Sequence, residues 1–182
     1  YRIQYRQMKS KGIVYLVGAG PGDAGLLTLR GAELLDRADV VVSDARVNPE
    51  LLRRAPKSAE IICDGKPAAE PAIPPTDLLI ARARAGKTVV RLIGGDPYLF
   101  GSGGAEAEQL AGAGIPFEVV PGVSSIVAAP NYAGVPLTHR EFASQLTLVA
   151  GSGDPSPGAA GVDWAQVAQT PGTKVILLDN DQ

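Results

Sequence analysis

The chain has 182 residues and a net charge of -2. That length is room for one large domain or two small ones, and the slight acidity argues against a nucleic-acid binder, which carries a basic face. Apolar residues make up 45% of the chain, enough for a sizeable core, while a single cysteine, Cys63, and a single histidine, His139, exclude an internal disulfide and any multi-Cys or multi-His metal site.

No apolar run is long enough to cross a bilayer. Tyr1 to Lys11 is polar and basic, without the apolar stretch of a signal peptide. The expectation is a cytoplasmic protein with no membrane, nucleic-acid or metal partner. The 22 glycines and 15 prolines exceed ordinary usage. They point to many tight turns and to places where backbone approaches a ligand.

In chain order, Ile13–Val17 reads as a buried strand, Leu26–Arg37 as a helix, and Asp39–Ser43, with three consecutive valines, as a second strand. A short helix near Pro49–Arg54, a strand at Glu60–Cys63 and a helix near Thr76–Ala85 follow. Then come a strand at Thr88–Leu92, a helix at Ala105–Ala113 stopped by Gly114, a strand at Phe117–Val120 and a helix at Ser124–Tyr132. Gln145–Ala150 and Lys174–Leu178 read as strands flanking a helix near Trp164–Ala168. Alternating helices and continuously apolar strands predict a mostly parallel sheet covered on both faces. Proline and glycine cluster at Pro121–Pro136, where a break between two α/β units is expected.

Two strings resemble phosphate-binding loops. Gly18-Ala19-Gly20-Pro21-Gly22-Asp23 follows a strand, and Asp44 ends the next strand, where a ribose-binding acid would sit. Asp23 at the third glycine position would repel a pyrophosphate, and Pro21 removes a backbone N–H that would cradle it. An NAD-dependent oxidoreductase is therefore disfavoured. Ala81–Thr88 loosely fits a P-loop, but there a helix runs into a turn and then a strand, the reverse of the required order.

Ligands of such sheets bind at the carboxyl ends of the strands. Four loops there are rich in special residues: Gly18–Asp23, Ser43-Asp44, Gly94–Gly101 and Pro121–Ser125. The strings VGAGPGDAGLLTLRG (Val17–Gly31), VVSD (Val41–Asp44), DGK (Asp64–Lys66), VVRLIGGDPYLFG (Val89–Gly101), GIPFEVVPGVSS (Gly114–Ser125) and YAGVPLTHREFAS (Tyr132–Ser144) are similar, in order and spacing, to those of the tetrapyrrole methylase family. The resemblance runs from Gly12 to about Leu178.

The resemblance implies a fold of two α/β domains with mostly parallel or mixed sheets, residues 12–121 forming the first and 122–182 the start of a second, apparently truncated. It implies an S-adenosylmethionine-dependent C-methyltransferase that converts uroporphyrinogen III to precorrin-2, for siroheme and cobalamin synthesis, and a homodimer. It places Pro21, Gly94, Gly95, Asp96, Leu99, Ser124, Ser125 and Leu178 around the methyl donor, the last standing where the family carries methionine. Asp44 matches the family's proposed proton acceptor and Lys66 its proposed proton donor. The acceptor's acetate and propionate arms require cations, for which Arg46, Arg91, His139 and Arg140 are candidates, without a catalytic role for His139. Ser102 stands where the family has arginine and Ile93 where it has lysine, and Asp44 is followed by Ala45-Arg46-Val47 instead of Arg-Leu-Val. These departures thin the positive charge facing the carboxylates. They leave two alternatives: a precorrin methyltransferase acting on a later intermediate, and a non-catalytic relative that retains donor or tetrapyrrole binding.

Overall fold

Five apolar runs of the chain become strands, and the three central ones expose little of either face, as expected where helices cover both sides. A computed structural model describes residues 12–63, 74–151 and 161–178. Strands β1 (Ile13–Gly18), β2 (Val40–Ser43), β3 (Glu60–Cys63), β4 (Thr88–Ile93) and β5 (Phe117–Val120) form one sheet in the order β3-β2-β4-β1-β5. All of its pairings are parallel: Val14 lies opposite both Val89 and Phe117, and Val41 opposite both Ile61 and Val90.

Side chains on successive strand positions point to opposite faces, and they build two cores. Val14, Leu16, Val40, Val42, Val89 and Ile93 face one. There they meet Leu79 and Ala83 of α2 (Pro75–Arg84) and Ala107 and Leu110 of α3 (Gly103–Gly112). Val17, Val41, Val90 and Leu92 face the other, against Leu34 and Leu35 of α1 (Leu29–Leu35) and Leu51 of the 3₁₀ turn Pro49–Arg54. The division follows from the handedness of crossovers. From β1 through β3 the chain steps toward one sheet edge, and from β3 through β5 it steps back. Right-handed connections then place α1 on one face and α2 and α3 on the other.

Local signals set the element ends. Asp23 accepts the Gly25 N–H and starts a separate 3₁₀ turn at Ala24–Leu26, and the Thr28 hydroxyl accepts the Gly31 N–H and starts α1. The single helix expected from Leu26 is thus two elements, because two capping side chains lie close together. Asn48 caps the next 3₁₀ turn, with Pro49 at its first position. Gly86, at φ 81°, stops α2, so the P-loop-like string is a helix end leading into a strand.

The chain divides into two units, Tyr1–Ser124 and Ser125–Gln182, just beyond Pro121. In the second, α4 (Ser125–Tyr132) precedes a βαβ unit: β6 (Leu146–Ala150), α5 (Trp164–Gln169) and β7 (Thr173–Leu177). β6 and β7 pair in parallel, with Leu146 opposite Thr173. Asp163 caps α5 by accepting the Gln166 N–H.

At the sheet edge, Arg82 of α2 grips Glu60 of β3 through two bonds of 2.8 and 2.6 Å. The hydrogen bonds from that guanidinium hold Glu60 below the usual carboxylate range. A carboxylate so depressed adds stability above its unfolded pKa and loses it as pH falls through its folded value. Because the pair is solvent-exposed, Arg82→Ala is expected to cost about 1 kcal/mol or less near neutral pH. Urea unfolding at a series of pH values should show that difference shrinking toward zero in acid. In the core, Leu16 is fully buried, and Leu16→Ala should cost about 2–5 kcal/mol in the same measurement at neutral pH.

Candidate active site

All five strands point the same way, so the loops that follow β1, β2, β4 and β5 gather at one edge of the sheet. β1 and β4 are neighbours whose onward connections leave toward opposite faces, α1 on one and α3 on the other. A crevice between their tips is the expected consequence. The Gly18–Asp23 and Gly94–Gly101 loops stand at that point.

The two loops are joined by backbone. The Gly95 N–H donates to the Gly20 carbonyl at 2.8 Å and the Gly20 N–H returns to the Gly95 carbonyl at 3.2 Å, an isolated antiparallel bridge between loops of a parallel sheet. Gly20 and Gly95 have φ values of 80° and 68°, which side chains other than glycine's rarely adopt. The β5 loop presses against the same place. A Cβ on Gly122 would collide with the Gly95 carbonyl and lie 2.7 Å from the Gly18 Cα. One on Gly18 would lie 2.5 Å from the Gly122 Cα. Three strand tips therefore meet through bare main chain.

Two side chains fasten the assembly. Asp96 accepts the Tyr98 N–H through one carboxylate oxygen at 2.9 Å and the Gly122 N–H through the other at 3.0 Å, tying the β4 loop to the β5 loop. Asn48 donates to the Gly22 carbonyl at 2.8 Å and accepts the Glu50 N–H, tying the segment after β2 to the β1 loop. Asn48 was not among the sequence candidates; its only signal was an Asn-Pro start to a short helical turn.

Asp44 emerges at the tip of β2, beside β4. The Arg46 N–H donates to its Oδ1 at 3.1 Å, and the Arg46 guanidinium lies 3.5 Å from its Oδ2. Asp44 thus closes a turn on Arg46, whereas Asn48 caps the helical turn that follows. A Cβ on Gly94 would stand 3.8 Å from Asp44 Oδ2, so that carboxylate oxygen borders the β4 loop.

Asp44 and Arg46 line a cavity of about 460 Å³, together with Ile93, Phe100, Ser102 and Glu106. Arg91 also lines it. Strand alternation aims Arg91 into the core shared with α3, where its Nε lies 3.2 and 3.3 Å from the two carboxylate oxygens of Glu106. The Ser102 hydroxyl donates to Glu106 at 2.8 Å. Both charged side chains are almost fully buried, and removing either partner of such a pair leaves a costly uncompensated charge. Phe100 holds a φ of 52° at the cavity rim while its ring remains half exposed. A left-handed conformation at a non-glycine residue costs about 1–3 kcal/mol and is common at functional loops.

The structure therefore brings Pro21, Asp44, Arg46, Gly94, Gly95, Asp96, Leu99 and Ser124 to one edge of one sheet; Ser124 Cα lies 3.8 Å from where a Gly95 Cβ would be. Ser125, His139, Arg140 and Leu178 belong to the second unit. Ser125 opens α4. His139 sits in a tight turn, bridged to Ala143, its Nδ1 accepting the Glu141 N–H and its ring 4.7 Å from that of Phe142. Arg140 is exposed. Leu178 follows β7 and is largely exposed, with a methyl 2.9 Å from where a Gly151 Cβ would be. Lys66 lies outside the described residues. No helix among the described residues is long and apolar enough to cross a membrane.

Residues 13–182 match the family model described as Tetrapyrrole (Corrin/Porphyrin) Methylases. The chain is 48% identical, over 92% of its length, to the S-adenosyl-L-methionine-dependent uroporphyrinogen III methyltransferase of Methanosarcina barkeri, of which the match covers 67%. It is 47% identical, over 93% of its length, to siroheme synthase 1 of Klebsiella pneumoniae, of which the match covers 36%. The chain thus spans about a third of the siroheme synthase and two thirds of the archaeal enzyme. Among solved structures, the uroporphyrin-III C-methyltransferase of Thermus thermophilus complexed with S-adenosyl homocysteine superposes with a TM-score of 0.74 at 44% identity, over 92% of this chain and 70% of that one. A cobalt precorrin-4 methyltransferase superposes with a TM-score of 0.71 at 32% identity, over 82% of this chain and 62% of that one. With paired glycine loops at the tips of a parallel sheet and a family match across nearly its whole length, this chain belongs to the tetrapyrrole methylase family.

Proposed function

We propose that the chain carries out S-adenosylmethionine-dependent C-methylation of uroporphyrinogen III toward precorrin-2. The observation that supports this most is the Gly20–Gly95 bridge at the switch point of the sheet, in a chain 48% identical to a uroporphyrinogen III methyltransferase. The charges suit a cationic donor. Asp23, Asp44 and Asp96 all stand at the carboxyl edge, where they disfavour a pyrophosphate and favour an ammonium or a sulfonium. The peptide at Gly94-Gly95 carries no side chain, so a ligand can pack directly on its main chain.

In this reading Pro21, Gly94, Gly95, Asp96, Leu99 and Ser124 line the donor side, and the resemblance assigns Ser125 and Leu178 to the donor as well. The donor, when bound, supplies an electrophilic methyl carbon whose bond to sulfur breaks as a bond to a pyrrole carbon forms. The chain's main task is alignment of the two carbons. Asp96, with both oxygens engaged by backbone, acts by holding the β4 and β5 loops in place. The methylated macrocycle must then lose a proton; by resemblance Asp44 accepts it, through Oδ2 in this reading, and Lys66 returns one. Arg46, His139 and Arg140 serve the acceptor's carboxylates, with the Arg91–Glu106 pair supporting the cavity floor. The same resemblance supports a first domain over residues 12–121, a second beginning at 122, and a cytoplasmic homodimer.

Calorimetry with S-adenosylhomocysteine tests the donor side. Micromolar binding is expected, and its absence in a folded chain contradicts the proposal. Gly122→Ala should weaken that binding at least about tenfold, because the added methyl must displace the Gly95 carbonyl from the β4 loop. Asp44→Asn and Lys66→Met should leave the dissociation constant within about threefold of the parent while lowering turnover about a hundredfold or more. Turnover unchanged in both variants removes their assigned roles.

A further inference from the structure

The Asp44 carboxylate is covered. Its Oδ1 is committed to the Arg46 N–H at 3.1 Å, so Oδ2 is the oxygen left to receive a proton, and the Arg46 guanidinium stands over it at 3.5 Å. The two side chains differ sharply in exposure: Asp44 is 19% exposed and Arg46 78%. A pair so long, so exposed and adjacent in sequence is worth about 0–1 kcal/mol, so the guanidinium leaves at little cost.

The other cation lining the cavity is not available for that movement. Arg91 is held at 3.2 and 3.3 Å to both oxygens of Glu106, and both side chains are buried. The four charged groups that line the cavity, Asp44, Arg46, Arg91 and Glu106, therefore form two internally matched pairs. Among the described residues, Arg46 is the exposed cation lining this cavity, so a carboxylate that enters draws Arg46 from Asp44.

Resting on the functional reading above, we propose that Arg46 is a substrate-displaced cover on the catalytic base. In the free chain its guanidinium occupies Asp44 Oδ2. When an anionic arm of the acceptor enters, the guanidinium transfers to that carboxylate and Oδ2 opens to the macrocycle. The guanidinium is planar and matches a carboxylate through two parallel N–H bonds, whereas on Asp44 only one of its nitrogens comes within 3.5 Å, so the exchange is favourable. One residue thereby recognises the acceptor's charge and exposes the base more fully when that charge is present. Arg46 acts through Asp44 and is a positioning residue.

The test uses the full chain, S-adenosylmethionine and two acceptors: uroporphyrinogen III, and the same macrocycle with its side-arm carboxylates converted to carboxamides. Without carboxylates, nothing draws Arg46 away, and the parent chain should turn the carboxamide acceptor over slowly. Arg46→Met removes both the cover and the clamp. It should raise KM for uroporphyrinogen III about tenfold with little change in kcat, and raise kcat on the carboxamide acceptor about threefold to fivefold above the parent. Arg46→Lys retains a cation and should behave like the parent on the carboxamide acceptor. Arg46 is mostly solvated, and an unchanged urea midpoint in the variants confirms that the fold is intact. A kcat on the carboxamide acceptor that Arg46→Met fails to raise overturns the cover while leaving the methyltransferase reading in place. Failure of the parent chain to methylate uroporphyrinogen III overturns that reading, and the cover with it.

Discussion

Main chain packed on main chain at the tips of β1, β4 and β5 is the constraint on which the site depends. Gly18 and Gly122 lie so close to each other and to the Gly95 carbonyl that neither leaves room for a Cβ, and the Gly20–Gly95 hydrogen bonds fix the distance between two of the loops. Side chains at these positions would push the loops apart and fill the crevice that the reversal of chain direction creates. Glycine here is required by geometry, at φ values of 80° and 68° and at near-contact distance. The flexibility this adds to the unfolded chain is a stability cost, offset by the two buried cores on either side of the sheet.

Charge placement follows the same economy. Asp96 and Asn48 stand in the loops, but their hydrogen bonds are spent on neighbouring backbone, so they position the loops. Arg91 and Glu106 are matched inside the fold, with Ser102 completing the Glu106 side. Among the described residues lining the cavity, the other charges are Asp44 and Arg46, joined to one another by a contact weak enough to exchange. That arrangement suits the proposed reaction, whose main demand is alignment.

Much of this was legible in the sequence. Strands covered on both faces appear as unbroken runs such as Val40-Val41-Val42 and Val89-Val90, and the loops after them stand out because positive φ and close approach demand glycine. The edge-of-sheet placement of Asp44, Gly94, Gly95 and Asp96 follows directly. Other features needed three dimensions. The partners Arg91 and Glu106 lie on different elements, and only strand alternation together with the packing of α3 brings them together. Asp96, expected beside the donor, also fastens the loops through both of its oxygens, because the Gly122 N–H is presented to it by a strand that pairs on the far side of β1. Helix periodicity near Leu26 concealed a break, since two caps, Asp23 and Thr28, act where apolar spacing alone suggests one helix. His139, read as a cation for the acceptor, is engaged locally in its own turn, with Phe142 and the Glu141 N–H.

The central claim is that the Gly18–Asp23 and Gly94–Gly101 loops together shape one ligand site. A crystal structure of the chain with S-adenosylhomocysteine tests it most directly. The ligand is expected against the main chain of Gly94 and Gly95, within van der Waals contact of Pro21 and close to Asp44. Density for the ligand at any other place on the first sheet, with both loops untouched, contradicts the claim.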